Sequence, residues 1–409
     1  MRETLQNNRL VRLLLRAAYR VSDSWLSATR AGELLRSNFT ARAEIEFTSR
    51  CNLRCVYCYS VAGRHTGTDL DLNHLSHVVR VLKQRGILAV GVSGGGETTV
   101  VKGWHHHCNR LLDQGIDLFI TTNLARELTD EEALTLARLM IIQVSVDTAD
   151  PQLFKKLRRG GDLKTVVYNL AKIRSQALRH GLKGPVFWWN AVVSDLTVWG
   201  LREYVDFGLA QGIKHFNFLS MYEHQPVEGT LPVRSLSQLP VSELEAVGPF
   251  LEGVFHSIRR GKGSFLCNTL LEEVNRALAL KRVGEFPPGE RSYDRGPERL
   301  TRDCLDPWIY VKVDSNGRIS PCCASGVMIG DLSSGDELSD ILNNDAVRGF
   351  REGILTGNLA KVCRECKLKG WTTIDAMRLK VSLVSSVSRM AKTLHRCGLL
   401  IPLIHAWRR

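Results

Sequence analysis

The chain lacks any apolar stretch that could cross a membrane as a helix, because such a helix needs about 18 consecutive apolar residues. Long uncharged runs such as Gly184–Ser194 and Cys397–Trp407 are still far shorter. A secretory signal is missing as well, since Arg12 and Arg16 interrupt the apolar start of the chain. We therefore expect a cytoplasmic protein in a reducing compartment.

Acidic residues are in deficit. The 409 residues include 42 acidic and 55 basic ones, which gives a formal net charge of +13. This surplus favours an anionic partner, such as an acidic redox protein or an anionic membrane surface. Nucleic acid is not expected, because the sequence shows no basic patch interleaved with aromatic residues and no nucleic-acid-reading motif. The content of 44% hydrophobic and 24% charged residues excludes a wholly disordered or fibrous chain.

The central part of the chain alternates between strand and helix patterns. Six such repeats imply an α/β fold with a parallel sheet that curls toward a partial (βα)6 barrel, and functional residues are expected at the C-terminal ends of its strands. The strands are predicted at Ala43–Phe47, Leu88–Val92, Leu118–Thr121, Ile141–Val146, Val186–Val193 and His215–Leu219. The helices are predicted at Leu75–Lys83, Val101–Leu112, Asp130–Leu139, Lys164–Leu178 and Leu201–Ala210.

Four further segments flank this barrel, which we place at 41–222. A basic helical lead-in spans 1–40, and a connecting segment, 223–300, carries helices at Val241–Arg259 and Leu270–Leu280. A small α+β extension, 301–372, contains a hairpin around Asn316-Gly317 and a helix at Leu338–Thr356. The basic amphipathic tail, 373–409, either lies on an anionic membrane or packs on its own barrel.

Cysteine use points to metal. Eleven cysteines are too few for a disulfide scaffold, and the odd number argues against a closed set of disulfides. Cys51, Cys55 and Cys58 fall within eight residues directly after the first strand, where three thiolates can converge on one soft metal centre. An iron–sulfur cubane held by three thiolates keeps one iron open, and an open iron can chelate the amine and carboxylate of a substrate. Three unrelated thiols, or a zinc knuckle with a distant fourth ligand, are the alternatives.

The second strand ends in a glycine-rich loop, Gly94–Gly96, followed by Glu97. Glycines at a strand end allow a backbone to approach a ligand closely. The carboxylate of Glu97 does not suit a phosphate, which prefers Lys or bare amides, but suits an ammonium group.

These two motifs at successive strand ends resemble the radical S-adenosylmethionine (SAM) superfamily. The resemblance implies a 4Fe–4S cluster on Cys51, Cys55 and Cys58 whose open iron binds SAM, with Tyr57 beside the adenine. It also implies a further set of SAM contacts. These are Gly95, Gly96 and Glu97 for the amino group, Ser145 for the carboxylate, and Asp147 and Asn123. Thr98 stands where many members have Pro. By their positions alone, Asp147 could instead cap the next helix, and Asn123 could be a turn residue.

A second cysteine set lies near the C-terminus. Cys304, Cys322, Cys363 and Cys366 bracket the hairpin and a helix, and they resemble the SPASM/twitch extension. Because a full SPASM set has seven cysteines and this stretch has five, the shorter twitch form with one auxiliary 4Fe–4S cluster is implied. Cys323 is an alternative ligand to Cys322, and a structural zinc site is the alternative for the whole set.

The family resemblance implies a mechanism but no substrate. A reducing protein such as flavodoxin or ferredoxin would supply an electron, SAM would be cleaved to a 5′-deoxyadenosyl radical, and the radical would abstract a hydrogen atom from an unactivated C–H bond. The auxiliary cluster would then assist oxidation of a small-molecule, sugar or lipid-linked substrate. Alternatives are a peptide-modifying maturase, an epimerase with Cys267 as hydrogen donor, or a non-catalytic zinc or iron–sulfur protein.

Overall fold

The computed structural model describes most of the chain between residues 34 and 384. The described ranges are 34–37, 39–58, 67–71, 75–87, 89–221, 231–267, 270–283, 300–322, 327–334, 336–366 and 368–384. Most of the predicted lead-in, the tail beyond 384, Cys323 and Cys397 lie outside these ranges.

Strands and helices alternate through the first two thirds of the described chain. The strands are β1 (Arg42–Ile45), β2 (Arg54–Cys55), β3 (Ala89–Gly91), β4 (Leu118–Thr122), β5 (Ile141–Ser145), β6 (Arg158–Arg159), β7 (Val186–Val193), β8 (His215–Ser220), β9 (Ser264–Leu266), β10 (Leu300–Arg302), β11 (Tyr310–Val313), β12 (Arg318–Ser320), β13 (Gly330–Asp331) and β14 (Trp371–Thr373). The helices are α1 (Leu75–Gln84), α2 (Trp104–Asp113), α3 (Asp130–Ala137), α4 (Pro151–Leu157), α5 (Leu163–Arg179), α6 (Leu201–Ala210), α7 (Val241–Arg260), α8 (Leu270–Val283), α9 (Asp306–Ile309), α10 (Leu338–Ile341), α11 (Asp345–Thr356) and α12 (Lys361–Arg364), and residues 374–384 are also helical.

The main sheet has the strand order β13-β12-β11-β1-β3-β4-β5-β7-β8-β9. Every neighbouring pair from β11 to β9 is parallel, while β12 and β13 are antiparallel to their neighbours. All six predicted barrel strands are present, and they lie side by side in the order in which they follow along the chain. The predicted α/β class with a parallel, barrel-like sheet is therefore confirmed.

The two edges of the parallel sheet come from segments that the sequence placed outside the barrel. At one edge, β11 pairs with β1 over four residue pairs, from Arg42 with Tyr310 to Ile45 with Val313. At the other edge, β9 pairs with β8. Strand pairing thus continues across the predicted boundaries at 222 and 301, which themselves stay predictions.

Side chains of the parallel strands alternate between two environments. The outward residues are apolar and buried under the helices, such as Ile45 on β1, Trp189 on β7 and Phe216 on β8, all at 0% exposure. Alternation with period two sends the intervening residues to the inner, concave side. The apolar core therefore lies between sheet and helices, and the inner face is left for other side chains.

The predicted hairpin is confirmed, whereas the predicted helix Leu338–Thr356 is two helices. In the hairpin between β11 and β12, Gly317 adopts a φ of 82°, which favours glycine. The helix breaks after Ile341, and Asn344 begins α11 by accepting a hydrogen bond from the Val347 amide at 3.1 Å. Asn is among the preferred residues at this capping position, so the break follows from local chemistry.

Within the described ranges, no helix combines the length and apolar character that crossing a membrane would require.

Candidate metal centres and cofactor site

The loop that carries Cys51, Cys55 and Cys58 is held by backbone hydrogen bonds at the C-terminal end of β1. Cys55 lies in β2, which pairs antiparallel with β6, so that Cys55 stands opposite Arg158. The Val56 amide donates to the Leu157 carbonyl at 2.9 Å, and the Cys58 amide donates to the Cys55 carbonyl at 3.1 Å. The cysteine loop is thereby fixed to the segment that follows the fifth strand of the chain.

The three thiols lie near enough to interact electrostatically, and two of them, Cys51 and Cys55, accept N–H donors. Burial raises the pKa of Cys51, and it raises the pKa of Cys55 to about 12, with smaller contributions from the neighbouring thiols. The Sγ of Cys51 accepts from the Leu53 amide at 3.4 Å and from Asn123 Nδ2 at 3.8 Å, while Cys55 Sγ accepts from Arg158 Nη1 at 3.8 Å. Such donors stabilise thiolate sulfur, as an iron–sulfur centre requires.

The described residues include no group of three or more Cys, His, Asp or Glu compact enough for a single metal ion. In a cubane each thiolate binds a different iron, so the three sulfurs of this loop need not meet at one point. The number and type of donors in the loop therefore fit a cluster.

The glycine-rich loop sits directly on the chain that enters the cysteine loop. A Cβ on Gly96 would lie 2.4 Å from the carbonyl oxygens of Thr48 and Arg50, closer than real Cβ atoms come. The Glu97 amide also donates to the Arg50 carbonyl at 2.8 Å. Only glycine permits this approach, so the two motifs recognised in the sequence form one structural unit.

The carboxylate of Glu97 joins the ends of β3 and β4. It is 3% exposed and accepts from the Thr99 amide at 3.2 Å, the Thr99 hydroxyl at 2.8 Å and the Thr122 hydroxyl at 2.7 Å. Its second oxygen accepts from the Asn123 amide at 2.7 Å. A carboxylate offers about four acceptor positions, so this one is largely engaged within the chain. Its predicted contact with an amino group stays a prediction.

Asn123 is a turn residue whose amide also reaches the cysteine loop. Its Oδ1 accepts from the Ala125 amide at 2.8 Å, which is an Asx turn. Its Nδ2 donates to Asn52 Oδ1 at 2.9 Å, besides Cys51 Sγ. The next residue, Leu124, has a φ of 48°, so the turn is strained at the point where β4 meets the site.

Asp147 is the buried acceptor of an ion pair and not a helix cap. Its carboxylate accepts from Arg158 Nε at 2.7 Å and Arg158 Nη2 at 2.9 Å, from the Val192 amide at 3.0 Å and from the Tyr57 hydroxyl. The alternative that Asp147 caps the following helix is wrong, because Asp150 caps α4. Asp150 is close enough along the chain to accept from the first free amides of the helix.

Tyr57 and Ser145 differ in whether their side chains are accessible from the inner face of the sheet. The ring of Tyr57 is buried with Val56, Leu157 and Met221, and its hydroxyl is bound to Asp147. Ser145, the last residue of β5, is partly buried on the inner face and stands opposite Asn190. Contacts of both residues with SAM stay predictions, and only Ser145 is presented by its strand to the interior of the sheet.

The inner face of the sheet is polar, whereas barrel interiors are usually filled by branched apolar side chains. Thr121 donates to Gln143 Oε1 at 2.9 Å across β4 and β5, and Asn217 donates to Asn190 Oδ1 at 3.3 Å across β8 and β7. Within the described chain, the buried Oδ1 of Asn217 has no hydrogen-bond partner. Because an unpaired buried acceptor is costly, this face is suited to a polar ligand.

The second cysteine set surrounds one cavity. Cys304, Cys322, Cys363 and Cys366 all line one small cavity of about 30 Å³. The cavity thus brings together all four predicted ligands, in the number that either a 4Fe–4S cluster or a structural zinc ion takes.

Arg302 holds the Cys363–Cys366 turn, a role that the sequence did not reveal. This residue is 3% exposed and donates to the carbonyls of Cys363 at 2.7 Å, Lys369 at 2.8 Å and Arg364 at 2.5 Å. Its guanidinium lies 4.0 Å from the centroid of the Trp371 ring. The position of Arg302 two residues before Cys304, a proposed ligand, is the feature of the sequence that could have indicated this role.

Cys267 and Cys108 lie away from both cysteine sets. Cys267 follows β9 at the edge of the sheet and packs, partly buried, against the main core. Its role as a hydrogen donor stays a prediction. Cys108 on α2 is fully buried, and burial raises the pKa of its thiol to about 12, as for an ordinary core thiol.

Two family profiles match the chain. One, described as the radical SAM superfamily, matches residues 45–184. The other, SPASM, described as an iron–sulfur cluster-binding domain, matches residues 304–367. The first contains the three-cysteine loop and the second contains the four-cysteine cavity.

Curated relatives carry the name GTP 3′,8-cyclase. The protein of Alkaliphilus metalliredigens is 35% identical over 143 residues, which are 34% of this chain and 43% of the relative. The protein of Alkaliphilus oremlandii is 31% identical over 328 residues, which are 76% of this chain and 85% of the relative. Several matches span only about half of the relative, such as 51% for Hydrogenovibrio crunogenus.

Solved structures show the same fold at low identity. Streptococcus suis SuiB bound to the precursor peptide SuiA has a TM-score of 0.56 at 19% identity, with 81% of this chain and 71% of that chain covered. Native anSMEcpe with bound AdoMet has a TM-score of 0.55 at 14% identity, with 87% of this chain and 100% of that chain covered.

Proposed function

The chain belongs to the radical SAM superfamily and carries a SPASM iron–sulfur domain, and on this premise we propose that it cleaves SAM reductively and abstracts a hydrogen atom from an unactivated C–H bond. The cofactors are SAM, the 4Fe–4S cluster that binds it, and auxiliary iron–sulfur. When bound and reduced, the first cluster supplies the electron that releases the 5′-deoxyadenosyl radical. The protein's own part is to bind, orient and shield the reactants.

One observation carries this proposal: the cysteine loop and the glycine-rich loop lie against each other at the C-terminal ends of the adjacent strands β1 and β3. Cys51, Cys55 and Cys58 are the proposed cluster ligands, and three thiolates leave one iron open to SAM. Gly95, Gly96 and Ser145 are then the proposed direct contacts of SAM.

The remaining predicted SAM residues have a supporting part in the proposed function. Glu97 and Asn123 fix the strand ends, and Tyr57 and Asp147 fix the cysteine loop. Each is engaged with its own chain in the structure, so each positions a neighbour of the cofactor. Direct contact of SAM with the polar side-chain atoms of Glu97, Asn123 or Asp147 would require these hydrogen bonds to be exchanged. A contact between the Tyr57 ring and the adenine would not.

Cys304, Cys322, Cys363 and Cys366 are the proposed ligands of one auxiliary 4Fe–4S cluster. All four line the same cavity, which supports the twitch-like arrangement of a single cluster. When bound, this cluster would accept the electron that the substrate radical loses, so that hydrogen abstraction would lead to dehydrogenation.

A small polar molecule is the proposed substrate class, including sugars and lipid-linked molecules. Gln143, Asn190 and Asn217 give the inner face hydrogen-bonding groups, and the curated relatives bear the name of an enzyme that acts on GTP. A peptide substrate is the alternative, but the likeness to SuiB and anSMEcpe supports the fold alone. An epimerase that uses Cys267 is the second alternative. Contact of the basic tail with an anionic membrane is a further prediction.

SAM cleavage under reducing conditions tests the proposal. The anaerobically purified protein is incubated with SAM and dithionite, and 5′-deoxyadenosine is measured. We expect product from the wild type and from Cys108→Ala, and none from Cys55→Ala. Cys267→Ala should still cleave SAM, because the hydrogen donor of an epimerase acts after cleavage. Equal 5′-deoxyadenosine formation by Cys55→Ala and Cys108→Ala would refute the assignment of the cysteine loop.

A further inference from the structure

Arg158 is a buried cation wedged between a carboxylate and a cysteine of the first cluster loop. It is 6% exposed and forms a fork with Asp147 through Nε at 2.7 Å and Nη2 at 2.9 Å. Its remaining terminal nitrogen, Nη1, lies 3.8 Å from Cys55 Sγ. The guanidinium also lies 5.7 Å from the centroid of the Tyr57 ring. All its donor nitrogens therefore have a partner, and one partner is a proposed cluster ligand.

The backbone fixes this arrangement. Cys55 and Arg158 are directly opposite each other in the β2–β6 ladder, and the amide next to Cys55 binds the carbonyl next to Arg158 at 2.9 Å. The neighbours Arg54 and Arg159, also opposite each other, are exposed. Because side chains alternate along a strand, Arg158 of β6 points inward to the sulfur and Arg159 points outward to solvent.

The positive end of the ion pair faces Cys55. Arginine stays protonated in proteins, so the guanidinium is charged. Its Nη1 lies 3.8 Å from Cys55 Sγ, whereas both oxygens of Asp147 are bound to the other two guanidinium nitrogens, Nε and Nη2. The ion pair therefore presents its positive end to the sulfur.

We propose that the Asp147–Arg158 pair sets the reduction potential of the SAM-binding cluster, with the charge of Arg158 raising that potential through Cys55 and the charge of Asp147 opposing it in part. The inference rests on the proposed cluster at Cys51, Cys55 and Cys58. Reduction adds one electron, taken from an acidic carrier protein or from dithionite, and no proton. A positive charge and an N–H donor beside a ligand sulfur stabilise the form with the extra negative charge.

Two neutral substitutions on the same ion pair distinguish tuning from a purely structural role. Arg158→Gln removes the positive end, so the ratio of reduced to oxidised cluster at one fixed potential should fall about tenfold, equivalent to 59 mV for one electron. Asp147→Asn removes the negative end, so the same ratio should rise. A merely structural ion pair would shift both variants in the same direction or leave both unchanged.

The measurement is a mediated redox titration of the reconstituted full-length protein, followed by electron paramagnetic resonance, without SAM. Arg260→Gln is the control, because this residue is exposed at the end of α7, and the potential of this variant should equal that of the wild type. Shifts of opposite sign support the proposal, and equal or same-sign shifts overturn it. If Arg158→Gln binds no iron after reconstitution, the proposal is tested with Asp147→Asn alone. A potential above that of the wild type supports the proposal, and an unchanged or lower potential overturns it. A wild type that binds no cluster at this loop would instead refute the proposed function.

Discussion

Glu97 shows at the scale of one residue how the site is assembled before any cofactor arrives. Its buried carboxylate accepts hydrogen bonds from Thr99, Thr122 and Asn123, and so connects two strand ends. Because these donors belong to the protein itself, the carboxylate stabilises the fold even when SAM is absent. Substitution of Glu97 is therefore expected to lower the free energy of unfolding of the SAM-free protein.

Glu97→Gln should destabilise the protein by about 1–3 kcal/mol, because the amide turns one acceptor into a donor that faces other donors. The measurement is the urea midpoint of the protein without SAM, compared with Glu252→Gln on an exposed position of α7. If Glu97→Gln unfolds at the same urea concentration as the control but loses SAM affinity, the carboxylate contacts the amino group of SAM directly.

Gly96→Ala should destabilise the unit formed by the two motif loops. Its Cβ would lie 2.4 Å from two backbone oxygens that cannot move away easily, and overpacking of this kind costs about 1–3 kcal/mol. Gly248→Ala is the matched control, because a Cβ at that helical position meets no atom within 4 Å. Thermal unfolding and iron content after reconstitution check the prediction. Equal values for both variants would contradict the packing of the loops.

At the scale of elements, the Cys363–Cys366 turn depends on β10. Arg302→Lys should leave the fold of the barrel unchanged but lower the iron content by about four per chain, because Lys cannot reach three carbonyls at once. Arg348→Lys, at a partly exposed ion pair on α11, is the control. Iron and sulfide analysis makes the comparison. If Arg302→Lys contains as much iron per chain as the wild type, the turn binds its cluster without the hydrogen bonds of Arg302.

The strand-end motifs were predictable because each depends on a few adjacent residues. Cys51–Cys58, Gly94–Glu97 and the Asn316-Gly317 turn all carry their chemistry in local sequence. The pairing of β11 with β1 was not predictable, since two short apolar runs far apart in sequence contain no information about which edge they share. The order of barrel strands was predictable only because consecutive parallel strands usually lie side by side.

The partners of buried charges also escaped prediction. Asp147 was recognised from its motif, but its ion pair with Arg158 depends on the fold of α4 and on the β2–β6 ladder. Arg302 lies two residues before Cys304 in sequence, yet its three carbonyl acceptors come from residues more than 60 positions away. Sequence patterns indicated the proposed cofactor ligands, whereas the residues that position those side chains became visible only in the structure.

At the scale of the whole molecule, the net charge of +13 has a local counterpart beside the first cluster. Arg54 and Arg159 are exposed and directly opposite each other, so two like charges repel across the β2–β6 ladder, although Arg54 also donates to the Cys51 carbonyl at 3.0 Å. The exposed Lys156 lies three residues before Arg159. If an acidic protein reduces the proposed cluster, as the sequence predicts, this face is where we expect it to bind.

Arg54→Glu with Arg159→Glu should slow cluster reduction by flavodoxin about tenfold or more, because electrostatic steering governs association of charged proteins. Reduction by dithionite with a viologen mediator should be unchanged. Arg260→Glu with Lys262→Glu, at the exposed end of α7, is the control pair. Stopped-flow absorbance at two ionic strengths measures both rates. Equal flavodoxin rates for the two double variants would place the docking face elsewhere.

The central claim is that one chain holds two iron–sulfur clusters, of which one cleaves SAM. The most direct measurement is iron, sulfide and zinc per chain after anaerobic purification, followed by SAM and dithionite. About eight irons and eight sulfides with formation of 5′-deoxyadenosine are expected, since each cubane holds four of each. About four irons with one zinc would make the second site structural. Zinc alone, without SAM cleavage, would contradict the account.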